Sequence, residues 1–246
     1  NYVTKKVSIE RFNDELSKLL YKSTKPSIGF KLMAETGILE LFIPELLEGR
    51  DVTQPQYHVY DVFEHTMRVV DAAEDRVKLA ALFHDIAKPR TYSKDSKGVH
   101  FYGHDVLGEK MTKDIMKRLR FSNDEIERTS KLVRWHMFYY PSVDWRNLHN
   151  KSFDWSSAED REMQEHLEEN SDKRNMGGWS DSAIRRLIIN VGGEDQIDDL
   201  MRLRIADAAG NPKSKFNPAE LQVLANRIAE VRAKDMALKV TDLDIN

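Results

Sequence analysis

The chain has 246 residues, of which 40% are hydrophobic and 32% are charged, and its formal net charge is -3. This balance excludes binding to polyanions through bulk charge alone, and the absence of cysteine excludes disulfide scaffolds, thiolate metal sites and cysteine nucleophiles. No apolar stretch reaches the length of a membrane span and no signal peptide is visible, so we expect a cytoplasmic protein without a membrane partner. The first residue is asparagine, which predicts a processed chain or a fragment.

Helical signals dominate the first fifty residues. Ser8 can cap a helix from about residue 9 to residue 21, because apolar residues recur there at helical spacing. A second helix fits residues 28–35 and ends at Gly37, a residue type that favours helix ends. Residues 39–47 are apolar around a proline, which predicts a short helix or a turn.

Further helices follow, and three of them carry start signals. Asp61 can cap one helix, Ser122 with Glu125 forms a capping box for another, and Asn217 precedes a proline at a first helical position. Residues 90–101 are predicted as a polar loop. No strand is predicted, so the expected fold class is all-α. The helices are expected at residues 61–73, 77–87, 105–119, 123–136, 181–191 and 194–209, and from residue 218 onward.

One stretch, near residues 141–178, differs from the rest because it is polar, acidic and poor in aliphatic residues. We expect it to be an insertion over the surface rather than part of the core.

An adjacent histidine and aspartate, His84 and Asp85, lie in an apolar run that ends at Pro89. Burying either group without a partner is costly, and a divalent metal suits both, since imidazole and carboxylate bind Zn, Mn, Fe and related ions. His65 lies on the preceding predicted helix and Asp207 between small residues on a later one. Together these side chains would leave coordination positions for water and substrate. The alternative is that they are unrelated polar residues.

Three other side chains could complete the site. His104, at a predicted loop-to-helix junction, and His136, after a tryptophan, could face substrate, phosphate or a second ion, but solvated or capping histidines would show the same pattern. Lys88 could reach a phosphate, or it could be solvated at a helix C-terminus, which the helix dipole favours. The remaining histidines, including His58 and His100, have no comparable context.

Two basic groups could contact RNA phosphates. One lies towards the end of the helix predicted at residues 105–119, and the other lies on the helix predicted at 181–191. The alternative interpretation of both is a solvated helix face. The candidate phosphate contacts are Lys110, Lys117, Arg118, Arg185 and Arg186.

Three segments in combination resemble the HD domain of bacterial tRNA nucleotidyltransferases, the CCA-adding enzymes and their poly(A) polymerase relatives. They are Tyr60–Thr66, Ala80–Pro89 and His100–His104. Residues 7–11 and 35–39 resemble the neck before that domain, 181–186 and 204–207 its later helices, and 239–243 the start of the next segment. The resemblance implies an HD-domain helical bundle at 51–215 that contains the insertion, short neck helices at 1–50, and a C-terminal helix with the start of a following segment at 216–246.

The resemblance implies metal-dependent hydrolysis of phosphomonoesters or 2′,3′-cyclic phosphates of a nucleotide or an RNA end, including tRNA. It carries metal binding over to His65, His84, Asp85 and Asp207, with Mn, Ni, Co, Mg, Fe or Zn as the ion. The metal would activate water, Asp85 or Asp207 would bridge or orient that water, and Lys88 or His104 would bind phosphate. The alternative is a non-catalytic neck-and-body module that binds tRNA. Nothing in the sequence resembles the carboxylate pair or the Gly-Ser motif of the family's nucleotidyl-transfer head, so we expect no CCA addition by this chain alone.

Overall fold

The computed structural model describes residues 7–53, 55, 58–96, 98–138, 180–214 and 218–241. Within these ranges the fold is all-α apart from one small hairpin, which confirms the predicted fold class. The predicted insertion near 141–178 and the predicted cap at Asn217 lie outside the described residues. The chain divides into two compact units, Asn1–Met137 with Val191–Phe216, and Phe138–Asn190 with Asn217–Asn246.

The first part of the chain forms four helices, α1 (Ile9–Lys22), α2 (Pro26–Glu35), α3 (Ile38–Phe42) and α4 (Pro44–Leu47). The Ser8 side chain accepts a hydrogen bond from the Arg11 backbone N–H at 3.3 Å, which confirms the predicted cap. Pro26 and Pro44 each open a helix, where the missing N–H of proline is not needed. The apolar segment at 39–47 is therefore divided into two short helices.

The next helix, α5 (Val62–Ala72), begins at the predicted cap. The Asp61 side chain accepts a hydrogen bond from the Glu64 backbone N–H at 2.7 Å. A short 3-10 helix (Asp75–Val77) leads into α6 (Lys78–Phe83), which packs against α5.

Helix α6 ends earlier than the sequence predicted, so the prediction of a helix through residue 87 is wrong. The backbone N–H of Ile86 bonds to the carbonyl of Phe83 at 3.1 Å, and Lys88 N–H bonds to the carbonyl of Asp85 at 3.0 Å. These bonds reach back three residues rather than four, as expected in tight turns ahead of Pro89, which disfavours a helical residue before it. His84 and Asp85 consequently lie in a turn and not within a helix.

The predicted loop at 90–101 contains a hairpin instead. A 3-10 helix (Lys88–Thr91) leads to strands β1 (Ser93–Asp95) and β2 (Gly98–His100), which pair antiparallel with Ser93 opposite His100. The His100 Nε2 atom lies 3.0 Å from an Asp95 carboxylate oxygen and ties the strands together. Strands of three residues are too short to show alternation in sequence, which explains the incorrect prediction.

Three longer helices complete the first unit, α7 (His104–Arg118), α8 (Asn123–Trp135) and α10 (Glu194–Gly210), with α9 (Asp181–Val191) preceding α10. The capping box of Ser122 and Glu125 is confirmed. Helices α7 and α8 pack together, and α10 packs on α5. A Cβ atom at Gly210 would lie 2.5 Å from Val69 Cγ2, so the missing side chain permits the close approach of α10 to α5.

The second unit contains α9 up to Asn190 and α11 (Pro218–Thr241). Asp181 at the start of α9 forms ion pairs with Arg227 and, at 3.0 Å, with Lys234, both on α11. None of the described helices combines the length and the apolar character that crossing a membrane requires.

Candidate metal centre

The predicted ligands from three distant segments meet in the first unit. His65 on α5 places Nε2 3.0 Å from Asp207 Oδ1 on α10 and 3.3 Å from His84 Nε2 in the turn after α6. One ligand atom from each lies within 4.8 Å of the others. The two histidines are almost fully buried, while Asp207 keeps 16% of its side chain exposed. We call these three residues the first cluster.

Asp85 joins this cluster to another. Its Oδ2 atom lies 3.2 Å from His84 Nε2 and 3.6 Å from His65 Nε2. Its Oδ1 atom lies 3.7 Å from Nε2 of both His104 and His136. Asp85, His104 and His136 form a second group with metal-ligand spacing, which we call the second cluster. The structure thus directs one carboxylate oxygen of Asp85 toward each cluster.

Three of the histidines have the same tautomer, set by the backbone. Each Nδ1 donates to the carbonyl oxygen three residues earlier, because a carbonyl can only accept. A ring whose Nδ1 donates in this way has only Nε2 available to bind a metal, and backbone carbonyls commonly orient metal-binding histidines in this way. The pairs are His84 with Ala81 at 2.8 Å, His104 with Phe101 at 2.7 Å and His136 with Val133 at 2.6 Å.

The donor set of the second cluster fits a cation. The Nε2 atoms of His104 and His136 lie 3.4 Å apart, beside the carboxylate of Asp85. Burial, reinforced by His136 and Lys88, lowers the pKa of His104 to about 3, so that ring is neutral at pH 7. The Nε2 atom of neutral His104 and the carboxylate oxygens of Asp85 are all acceptors, and a divalent metal can bind such acceptors together while using ligand types that it prefers.

Lys88 is part of the same site. Its side chain is buried, and Nζ lies 2.9 Å from Asp85 Oδ2 and 5.5 Å from the centre of the Phe101 ring. The alternative of a solvated lysine is therefore wrong. Although Asp85 Oδ2 has this ionic contact, no hydrogen bond of ordinary geometry reaches it within the part of the chain that the structure describes. A buried oxygen in that state is available to a metal.

Both carboxylates are held in the ionised form. Burial alone would raise the pKa of Asp85, but the charges of His84 and Lys88 outweigh it and hold that pKa well below the usual range. Burial likewise opposes ionisation of Asp207, and the hydrogen bond from His65 outweighs it and keeps the pKa of Asp207 well below its ordinary value. Both groups can therefore bind a metal near neutral pH.

Sequence reasoning missed His58. Its ring centre lies 4.8 Å from that of His65 at an angle of 60°, and it lines a pocket beside the first cluster together with Lys88. The residues between His58 and Asp61 are not helical, so no spacing rule connects this histidine with His65, and only packing reveals it. His100, another of the histidines set aside, instead contacts Asp95 in the hairpin.

The predicted basic residues differ in exposure and in their partners. Lys110 and Lys117 are exposed on α7, whereas Arg118 donates to both carboxylate oxygens of Glu45 at 2.8 and 2.7 Å. That pair links α7 to α4. On α9, Arg185 is half-buried and Arg186 is exposed. Their contacts with RNA remain predictions.

A family model described as HD domain matches residues 56–208, which is more than half of the chain. The chain belongs to the HD-domain family. A second model, described as a probable RNA and SrmB-binding site of polymerase A, matches residues 3–49 of this HD-domain protein. These matches confirm the resemblance stated from the sequence.

Curated relatives include nucleotidyltransferases. The HD-domain protein is 35% identical over 144 residues to the A-adding tRNA nucleotidyltransferase of Deinococcus radiodurans, covering 55% of the chain and 33% of the relative. It is 33% identical over 141 residues to the CC-adding tRNA nucleotidyltransferase of Thermus thermophilus (54% and 32%). It is 32% identical over 139 residues to a bifunctional uridylyltransferase/uridylyl-removing enzyme of Azospirillum brasilense (46% and 14%). The matched region spans about a third or less of each relative.

Proposed function

We propose that this HD-domain protein is a divalent-metal-dependent phosphohydrolase that acts on a phosphomonoester or a 2′,3′-cyclic phosphodiester of a nucleotide or RNA end. The observation that carries the proposal is the pair of ligand clusters joined through Asp85. The tRNA-related names of the relatives and the RNA-binding description of the model over residues 3–49 support an RNA-related substrate.

The two clusters would each hold one ion. A bound divalent ion lowers the pKa of its water toward neutrality and offsets charge on a phosphoryl oxygen. The first site would use His65, His84, Asp207 and Oδ2 of Asp85, and the second would use His104, His136 and Oδ1 of Asp85. We expect Mn, Ni, Co, Mg, Fe or Zn, because the donors are imidazole nitrogens and carboxylate oxygens.

The side chains around the ions supply the remaining chemistry. Lys88 keeps its ammonium in a buried position, where charge interactions are stronger than at the surface. It would bind a phosphoryl oxygen of the substrate while retaining its contact with Asp85. The carbonyl contacts of His84 and His104 hold both rings in place, so little reorganisation is needed when substrate binds.

The test is phosphate release by metal-stripped protein reloaded with each ion in turn. Substrates are 2′,3′-cyclic AMP, 2′-AMP, 3′-AMP and p-nitrophenyl phosphate. We expect turnover with at least one ion, and a fall of more than about 100-fold in His84→Ala, because loss of a ligand exceeds the 10- to 100-fold effects seen for groups that only orient ligands. His100→Ala is the matched control, since this buried histidine contacts Asp95 and belongs to neither cluster. Absence of turnover with every ion, or unchanged turnover in His84→Ala, would contradict the proposal.

A second candidate is a non-catalytic module that binds tRNA. The RNA-binding description of the model over residues 3–49 favours it. This candidate expects tRNA binding without turnover, with an affinity that falls as salt rises. Lys110→Ala and Lys117→Ala, both exposed on α7, would then each reduce the salt slope by about 1. Salt-independent binding, or turnover that requires the clusters, would exclude it.

A further inference from the structure

A pocket opens beside the first cluster. It brings together one residue of that cluster, His65, with Asp85 and Lys88, and adds His58, which belongs to neither cluster. The lining residues are Val52, His58, Tyr60, Asp61, Val62, His65, Asp85, Lys88 and Phe101. A substrate phosphate that contacts Lys88 from this pocket would therefore meet His58 as well.

His58 is arranged to take a partner that the described residues do not supply. Its Nδ1 atom is buried and has no hydrogen-bond partner among the described residues. Leaving a buried polar atom in this state is unfavourable, so a water, an ion or a ligand that pairs with it lowers the free energy. The ring stands edge-on to His65 with centres 4.8 Å apart, which orients it beside a metal ligand without placing it in the ligand set.

Two side chains give the pocket its hydrogen-bonding capacity and its charge. His58 contributes an imidazole ring to the pocket, and Lys88 contributes its side-chain nitrogen. A neutral imidazole has one N–H donor and one acceptor, whereas Lys88 supplies positive charge. A phosphoryl group, which carries several acceptor oxygens and negative charge, can use both together.

We propose that His58 is a substrate-contacting residue that donates a hydrogen bond from Nδ1 to a phosphoryl oxygen in the pocket it shares with Lys88. The proposal rests on the phosphohydrolase function proposed above and assigns His58 to phosphate rather than to metal. With His58 at one wall and Lys88 at another, the pocket selects a phosphate ester over an uncharged ester of similar size.

The test compares His58→Ala with His58→Asn in full-length, metal-loaded protein. Asparagine can place an amide N–H close to the position of Nδ1, so it keeps the donor that alanine removes. Inorganic phosphate is the binding probe, and 2′,3′-cyclic AMP is the substrate. We expect His58→Ala to weaken phosphate binding about 10- to 100-fold, as for loss of a hydrogen bond to a charged group, and His58→Asn to recover most of the affinity. Metal content should equal that of the wild type in both variants.

The other outcomes distinguish failure of the His58 assignment from failure of the proposed function. Loss of an ion in His58→Ala identifies a metal ligand, and unchanged phosphate binding identifies a packing residue. If the wild type binds phosphate through His58 but hydrolyses no ester, the proposed function is excluded and the phosphate contact stands. If the wild type hydrolyses the ester but substitution of His58 changes neither turnover nor phosphate binding, the proposed function stands and the contact with His58 is excluded. His100→Ala serves again as the histidine control.

Discussion

The first cluster is assembled from α5, the turn after α6 and α10, with His65 and Asp207 separated by 142 positions in the chain. The second cluster instead uses Asp85 with residues at the start of α7 and just after α8, two helices that pack directly on each other. Both histidines of the second cluster are oriented by backbone carbonyls. In the first cluster His84 has such a contact, whereas His65 Nδ1 has no hydrogen-bond partner within the described residues.

This difference indicates a division of labour. The second cluster is buried and locally held, so it is suited to binding an ion that remains in place. The first cluster depends on long-range packing of α10 and contributes His65 to the pocket with Lys88 and His58, so it is where a substrate would contact the site. The following experiments test that division.

The largest effect is expected for Asp85→Asn, because its carboxylate touches both clusters. Metal content should fall from two ions toward none, and turnover should fall by more than about 100-fold. Elemental analysis and phosphate release measure the two effects. Asp199→Asn is the control, since Asp199 is also fully buried but contacts Arg76, Arg128 and Arg202. That variant should lose stability and keep its metal, and an Asp85→Asn protein that retains two ions would refute the shared role of Asp85.

The next largest effect on turnover is expected in a comparison of His65→Ala with His104→Ala. Each variant should retain one ion, because each substitution removes a ligand from one cluster and leaves the other cluster intact. His65→Ala should abolish turnover since His65 lines the pocket, whereas His104→Ala should retain measurable turnover. The number of bound ions and kcat/KM, measured for both variants, test whether the two clusters have different roles. Equal loss of activity in the two variants would argue against a division between the clusters.

A smaller effect is expected from two glycines at helix contacts. Gly210→Ala must displace Val69 on α5, and such overpacking costs about 1–3 kcal/mol. Because Asp207 lies one turn away on α10, the first cluster should bind its ion more weakly. Gly108→Ala meets a Val133 methyl carbon at 3.1 Å between α7 and α8, so it should cost less and affect the second cluster. Urea unfolding and metal titration test both substitutions. The prediction is wrong if Gly210→Ala weakens metal binding at the second cluster and Gly108→Ala weakens it at the first.

The last prediction concerns the pH dependence of stability in metal-free protein. The folded-state pKa values of His58 and His104 are about 3, below the ordinary value of 6.5. Between these values the unfolded chain binds more protons, so stability should fall as pH is lowered from 6.5, on the order of 1 kcal/mol per pH unit for each group. Urea unfolding at pH 7, 6 and 5 in chelator measures the trend. His104→Gln should reduce the slope by about half, because His58 still contributes, and equal stability at pH 7 and pH 5 would contradict the prediction.

Local signals predicted the helix starts well. The caps at Ser8, Asp61 and Ser122 are confirmed because a cap depends on hydrogen bonds across three residues. The end of α6 and the hairpin after it were predicted incorrectly. The first depends on tight turns ahead of Pro89, and the second on strands of three residues.

The amino-acid sequence by itself determined the helical class, most helix positions and the resemblance that singled out His65, His84, Asp85 and Asp207. These follow from periodicity and short motifs, which act over a few neighbouring residues. Only the tertiary structure decided that Asp85 joins two clusters, that Lys88 is buried and that His58 enters the pocket. Those features arise where segments far apart in the chain pack together, and no local pattern encodes the distance between side chains on different elements.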